Sequence, residues 1–130
     1  MGKNTNKAQP ATTVLVVDDD PAVRNSLKFS LELEGFIVRL YAGGRELLDD
    51  PDLPACGCLV VDQVMPGMTG LEMVDALRRR GISSPAVLIT PNAGGKLRQR
   101  AATVGVVVID KPFFGNALVD AIRASLLQDL

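Results

Sequence analysis

The chain has 130 residues, 47% of them apolar and 22% charged, and a net charge of −1. That is one globular domain's worth of chain with a hydrophobic core of its own, without the basic excess that sequence-independent nucleic-acid binding requires. No apolar run approaches the roughly 20 residues of a membrane-spanning helix, and the absence of histidine excludes a histidine triad, a His-ligated zinc and a phosphohistidine carrier within this chain.

The opening MGKNTNKAQPATT is polar and has no apolar centre, so it is not a secretory signal. Gly2 does not meet the myristoylation pattern, because Asn6 stands where Ser or Thr is needed. Residues 1–13 read as a flexible arm and residues 14–130 as one domain. Five short apolar runs follow: Val14–Val17, Phe36–Tyr41, Cys58–Val61, Ala86–Ile89 and Val106–Ile109. They are rich in Val, Ile and Leu with little alternation, the pattern of strands buried on both faces.

Helical spacing fills the stretches between them. Val23, Leu27 and Leu31 lie four apart, and Gly35 follows as a stop. A short helix around Gly44–Asp50 ends at Pro51. Leu71, Val74 and Leu77 share a stripe of a helix over 71–80, which closes on Arg78, Arg79 and Arg80, cations suited to a helix C-terminus. A helix over 95–104 starts on Gly94 and Gly95, so its first turn is weakly specified. The last, over 115–127, places Leu118, Ile122 and Leu126 together. Strand and helix alternating five times predict a parallel sheet wound on both faces, an α/β domain. The chain after the last helix leaves no room for an output domain. Cys56 and Cys58 read as buried, reduced cysteines: two thiols do not close a zinc site, and i,i+2 strand positions suit a disulfide poorly.

In such a fold, ligands bind at the carboxyl ends of the strands. The first strand delivers Asp18, Asp19 and Asp20 there, the third Asp62, the fourth Thr90, the fifth Asp110 and Lys111, and the second only Ala42 and Gly43. Asp20 before Pro21 is a helix N-cap and N1 pair. Asp18, Asp19 and Asp62 have no such local role. Three converging carboxylates would raise one another's pKa, a cost that a hard divalent cation such as Mg²⁺ removes. Lys111 adds a charge and Thr90 a hydroxyl for phosphate oxygens. A lone strand-end lysine or threonine is ordinarily a solvated surface group. The weight lies in the set, each member at the end of a different strand.

At these residues, in the motifs VVDDD, VVDQVMPGMTGLE, LIT and DKPF, the chain from Val14 to Leu127 resembles a response-regulator receiver domain of two-component signal transduction. The resemblance implies a five-stranded sheet in the order 2-1-3-4-5. It implies a cytoplasmic phosphoacceptor rather than a turnover enzyme. Asp62 would take a phosphoryl group from a phosphohistidine on a sensor histidine kinase or histidine phosphotransferase. Asp18, Asp19, Asp62 and the carbonyl of Val64 would hold Mg²⁺ or Mn²⁺, with Asp19 and Asp62 as direct ligands. Lys111 would pair with Asp62 and then with the phosphoryl group, and Thr90 would swing toward it. It also implies a cis Lys111–Pro112 bond and a switching surface on the fourth helix, fifth strand and fifth helix, with homodimerisation through the fourth and fifth helices. It implies no direct contact with nucleic acid or membrane.

The sequence departs from that family at the switch. Val108 stands where an aromatic toggle is common, Pro91 where a small residue with an N–H is preferred, and the segment from Gly105 to Lys111 is one residue short. Four other readings compete. A haloacid-dehalogenase-like Mg²⁺ phosphatase would use Asp18 and Asp20 as its D-x-D pair, but Ala22 occupies the position of Thr or Val and no cap domain is present. A flavodoxin-like carrier would need a Ser/Thr/Gly phosphate loop where three aspartates stand. A receiver without phosphorylation would lack an acid or the lysine. A receiver fragment of a longer regulator competes with a single-domain regulator.

Overall fold

The computed structural model describes residues 12–51, 53, 57–111 and 116–128. Five strands, β1 (Thr13–Val17), β2 (Ile37–Tyr41), β3 (Cys58–Asp62), β4 (Ala86–Thr90) and β5 (Val106–Asp110), alternate with five helices. These are α1 (Pro21–Leu33), α2 (Gly44–Leu48), α3 (Gly70–Arg79), α4 (Gly95–Thr103) and α5 (Ala117–Gln128). All neighbouring strands are parallel, in the order β2-β1-β3-β4-β5, as the alternation and the resemblance predict.

Strand parity sorts the core into two layers. Leu15, Val17, Leu59, Val61 and Leu88 face Leu47 of α2, Leu71, Val74 and Leu77 of α3, and Ala101 of α4. Val14, Val16, Val60, Val87 and Ile89 face Leu27 and Leu31 of α1 and Leu118 and Ile122 of α5. The three inner strands are buried almost throughout, which is why they read as unbroken apolar runs. The outer strands differ from that expectation. Ile37 and Arg39 of β2, and Val107 and Asp110 of β5, are exposed, because a strand at the edge of the sheet is covered less completely than one with a neighbour on both sides.

The sheet starts earlier than the sequence suggests. Thr13 pairs with Ile37, and the Thr12 carbonyl accepts the Ile37 N–H at 2.9 Å, so Thr12 and Thr13 belong to the domain and not to an arm. Residues 1–11, Cys56 and Pro112 lie outside the described residues, and with them the rest of the arm, one of the two cysteines and the cis bond. Cys58 is buried in the sheet. Gly35 and Gly81 end α1 and the turn after α3 at φ of +96° and +82°, conformations that L side chains disfavour. No helix among the described residues is long and apolar enough to cross a membrane.

Candidate functional site

Register brings the acids level. Val17 pairs with Val61, so the residue after each strand position, Asp18 and Asp62, stands on the same rim. The Asp18 N–H extends the sheet by donating to the Tyr41 carbonyl at 3.2 Å. The three consecutive aspartates then divide their roles. Asp18 is only 2% exposed, and its Oδ1 accepts the Asp20 N–H at 2.9 Å. Asp20 caps α1, its Oδ1 accepting the Ala22 N–H at 2.9 Å, with Pro21 at the first helical position. Asp20 is thereby committed to the helix, which argues against its serving as half of a D-x-D pair. Asp19 is the exposed member of the rim. Arg24, one turn into α1, donates from Nη1 to the Asp18 carbonyl at 2.7 Å and pins the turn that carries both acids.

Asp62 ends β3 almost fully buried, its Oδ1 accepting the Val64 N–H at 3.3 Å. The following turn is built to hold it. The Gln63 N–H donates to the Ile89 carbonyl, and its own carbonyl accepts the Gly70 N–H. The Gln63 side chain accepts the Leu71 N–H at 2.8 Å. Thr69 and Glu72 close a reciprocal capping box at the start of α3, which satisfies donors that a helix start leaves free. Gln63, Gly70 and Arg24 are supporting residues that motif reading passes over. Their signals in the sequence are an amide directly after the strand-end acid, a glycine eight residues beyond it, and an arginine one turn into the first helix.

One carboxylate oxygen from each of Asp18, Asp19 and Asp62 lies within 4.8 Å of the others. Burial pushes the Asp62 carboxyl above its ordinary range, and the neighbouring Asp18 charge adds to this, while Lys111 opposes it. Burial likewise raises Asp18, against the Asp20 N–H and Lys111. Desolvation therefore leads for both, and the carboxylate repulsion expected from the sequence comes second for Asp62 and lower still for Asp18. The donors are hard oxygens, anionic and partly desolvated, from two strand ends. That set fits Mg²⁺ or Mn²⁺.

Lys111 Nζ stands 3.8 Å from Asp62 Oδ1, an ion pair too long for a hydrogen bond. The Lys111 N–H donates to the Thr90 carbonyl at 2.7 Å. Thr90 is buried, and its Oγ1 accepts the Asn92 N–H at 3.4 Å. Val64 is 62% exposed beside the acids. The short segment before Lys111 does not disturb this arrangement, because β5 pairs with β4 without a gap from Ala86↔Val106 to Thr90↔Asp110. Val108 is half-buried and packs against the core, and Pro91 is exposed. Pro91 and Lys111 also border an open groove of about 730 Å³ between α1 and α5, lined by Val23, Leu27, Leu118 and Val119.

Residues 14–123 match the family model described as the response regulator receiver domain. The C4-dicarboxylate transport transcriptional regulatory protein DctR of Rhodobacter capsulatus is 37% identical over 111 residues, which are 83% of this chain and 56% of DctR. The transcriptional regulatory protein FixJ of Azorhizobium caulinodans is 38% identical over 114 residues, 87% of this chain and 54% of FixJ. The chain thus spans about half the length of these curated relatives. Among solved structures, the chemotaxis protein CheY4 of Vibrio cholerae superposes with a TM-score of 0.82 at 28% identity, covering 89% of this chain and 99% of that one. The strand order, the acid rim and these matches agree, and the chain belongs to the response regulator receiver domain family.

Proposed function

We propose that this chain is the phospho-accepting receiver of a two-component phosphorelay, with Asp62 as the acceptor. A carboxylate oxygen of Asp62 attacks the phosphorus of a phosphohistidine on a sensor histidine kinase or histidine phosphotransferase. The new O–P bond replaces the N–P bond, and the imidazole leaves and regains its proton. This chemistry asks the protein mainly for position and charge. Lys111, already 3.8 Å from Asp62, moves its ammonium onto the incoming phosphoryl oxygens. Thr90 has a proton to give them, since its oxygen accepts from Asn92 and its own O–H remains to donate. The Asp18, Asp19 and Asp62 carboxylates, with the Val64 carbonyl, hold Mg²⁺ or Mn²⁺, which when bound neutralises the charge gathered at the rim.

The observation that carries this reading is the convergence of three acids from two strand ends within 4.8 Å, beside the Lys111 ammonium. The donor docks across the groove between α1 and α5, which opens on Lys111. Phosphorylation then shifts the face made by α4, β5 and α5, through which a phosphorylated pair of copies would associate. The protein works in the cytoplasm as a stoichiometric acceptor that slowly loses its phosphate.

Acetyl phosphate with Mg²⁺ tests the proposal. Intact mass should rise by ~80 Da in the parent and not in Asp62→Ala. No gain in the parent, or an equal gain in the variant, overturns it.

A further inference from the structure

The β4–α4 loop joins Thr90 to a weakly anchored helix. Helix α4 begins at Gly95 with no side-chain cap from its N-cap residue Gly94, and Ala101 is its single buried position. Pro91 contributes no N–H to the loop. With valine at position 108, β5 itself carries no aromatic residue to tie it to this loop.

Asp110 does so instead. It ends β5 directly opposite Thr90. Its Oδ1 accepts the Ala93 N–H at 2.9 Å, and its Oδ2 accepts from Arg98 Nη2 on α4 at 2.6 Å. The next residue, Lys111, holds the Thr90 carbonyl through its own N–H at 2.7 Å. Two adjacent residues of the fifth strand's end therefore clamp the last residue of β4, the third residue of the loop, and again the first turn of α4. The Asp110 side chain is half exposed, and exposed ion pairs add little to stability. A carboxylate that satisfies a loop N–H and a guanidinium together does more for geometry than for the folding equilibrium.

We propose that Asp110 is a positioning residue for phosphoryl transfer. It holds the loop and α4 against β5 and so fixes where the Thr90 hydroxyl stands relative to Asp62 and Lys111. The inference rests on the proposed function and adds to it a residue that touches neither phosphate nor metal. In this chain the loop is coupled to the fifth strand through a hydrogen-bonded ion pair. Releasing it lets Thr90 drift, and a displaced donor slows transfer without weakening the metal site.

The experiment compares the parent with Asp110→Ala and Asp110→Asn, phosphorylated by acetyl phosphate at saturating Mg²⁺. Asp110→Ala should take up phosphate about tenfold more slowly, keep the parent's Mg²⁺ affinity and melting midpoint, and lose the hydrogen-exchange protection of the Ala93 amide. Asp110→Asn keeps an oxygen for Ala93 and should stay within about twofold of the parent rate, with the amide protected. An Asp110→Ala variant with the parent's uptake rate overturns the inference alone. So does an Asp110→Asn variant as slow as Asp110→Ala, since charge and not loop position would then be responsible. A parent that binds Mg²⁺ but never gains phosphate overturns the proposed function and this inference with it.

Discussion

A methyl group on Gly70 would lie 2.5 Å from the carbonyl oxygen of Asp62 and 2.8 Å from both Val61 Cγ1 and Leu88 Cδ1. The start of α3 is seated directly against the end of β3, and only a residue without a Cβ permits it. Gly70→Ala must push the helix away from the strand end that presents Asp62. The expected cost is about 3 kcal/mol of stability, seen as a lower denaturation midpoint. Mg²⁺ affinity should fall with it, because Asp62 moves relative to Asp18 and Asp19. A variant of parental stability would mean that the contact relaxes without consequence.

The raised carboxyls of Asp18 and Asp62 set a pH dependence. An acid whose folded pKa exceeds its unfolded value holds its proton longer in the native state. Its contribution is fully present below the unfolded value and is lost as pH rises through the folded one. Without divalent ion at pH 7, both groups therefore weaken the fold. Asp62→Asn should stabilise the metal-free protein by on the order of 1 kcal/mol, a rise of a few degrees in Tm. With Mg²⁺ the order should reverse, because only the parent gains binding energy. Mg²⁺ affinity in the parent should climb with pH through and above the ordinary carboxylate range. A variant less stable than the metal-free parent at pH 7 would contradict this electrostatic reading.

Arg24 reaches the Asp18 carbonyl at 2.7 Å. Arg24→Met keeps most of the side chain's packing volume but removes the donor. The turn bearing Asp18 and Asp19 should loosen, and the Mg²⁺ dissociation constant should rise by about three- to tenfold, a fraction of the worth of one charge-assisted hydrogen bond. Stability should change by less than about 1 kcal/mol. Calorimetric titration reads the first quantity and thermal melting the second.

Arg78 provides the opposite case. At the far end of the sheet its guanidinium donates to the carbonyls of Val104, Ile82 and Ser84 at 3.2, 3.1 and 2.8 Å. It ties the end of α3 to the approaches of β4 and β5. Arg78→Ala strands those carbonyls and should cost about 3 kcal/mol. Phosphate uptake and Mg²⁺ affinity of the folded fraction should stay unchanged. A selective loss of uptake at unchanged stability would place a functional coupling where the structure has only a brace.

The fold was legible where burial governs the pattern. Val14–Val17, Cys58–Val61 and Ala86–Ile89 are central strands, and their uninterrupted apolar character reports two covered faces. Ile37 and Val107 misled that rule, because an edge strand keeps its β-branched residues while one side faces water. The acids and Lys111 were legible because parallel strands all end on one rim, so charges placed directly after apolar runs must meet there. The clasp of Asp110 on Ala93 and Arg98 was not, since its partners lie 17 and 12 residues away and nothing in their types announces a pairing. The distinct jobs of Asp18, Asp19 and Asp20 were half legible. Proline after Asp20 marked the cap, whereas the burial of Asp18 emerges only once β2 and β3 flank it.

The most direct measurement locates the phosphate. After acetyl phosphate and Mg²⁺, borohydride reduction converts an aspartyl phosphate to homoserine, which peptide mass spectrometry assigns to a position. The account predicts homoserine at residue 62 and nowhere else. Homoserine at residue 18, or none in protein that has gained phosphate, would contradict it.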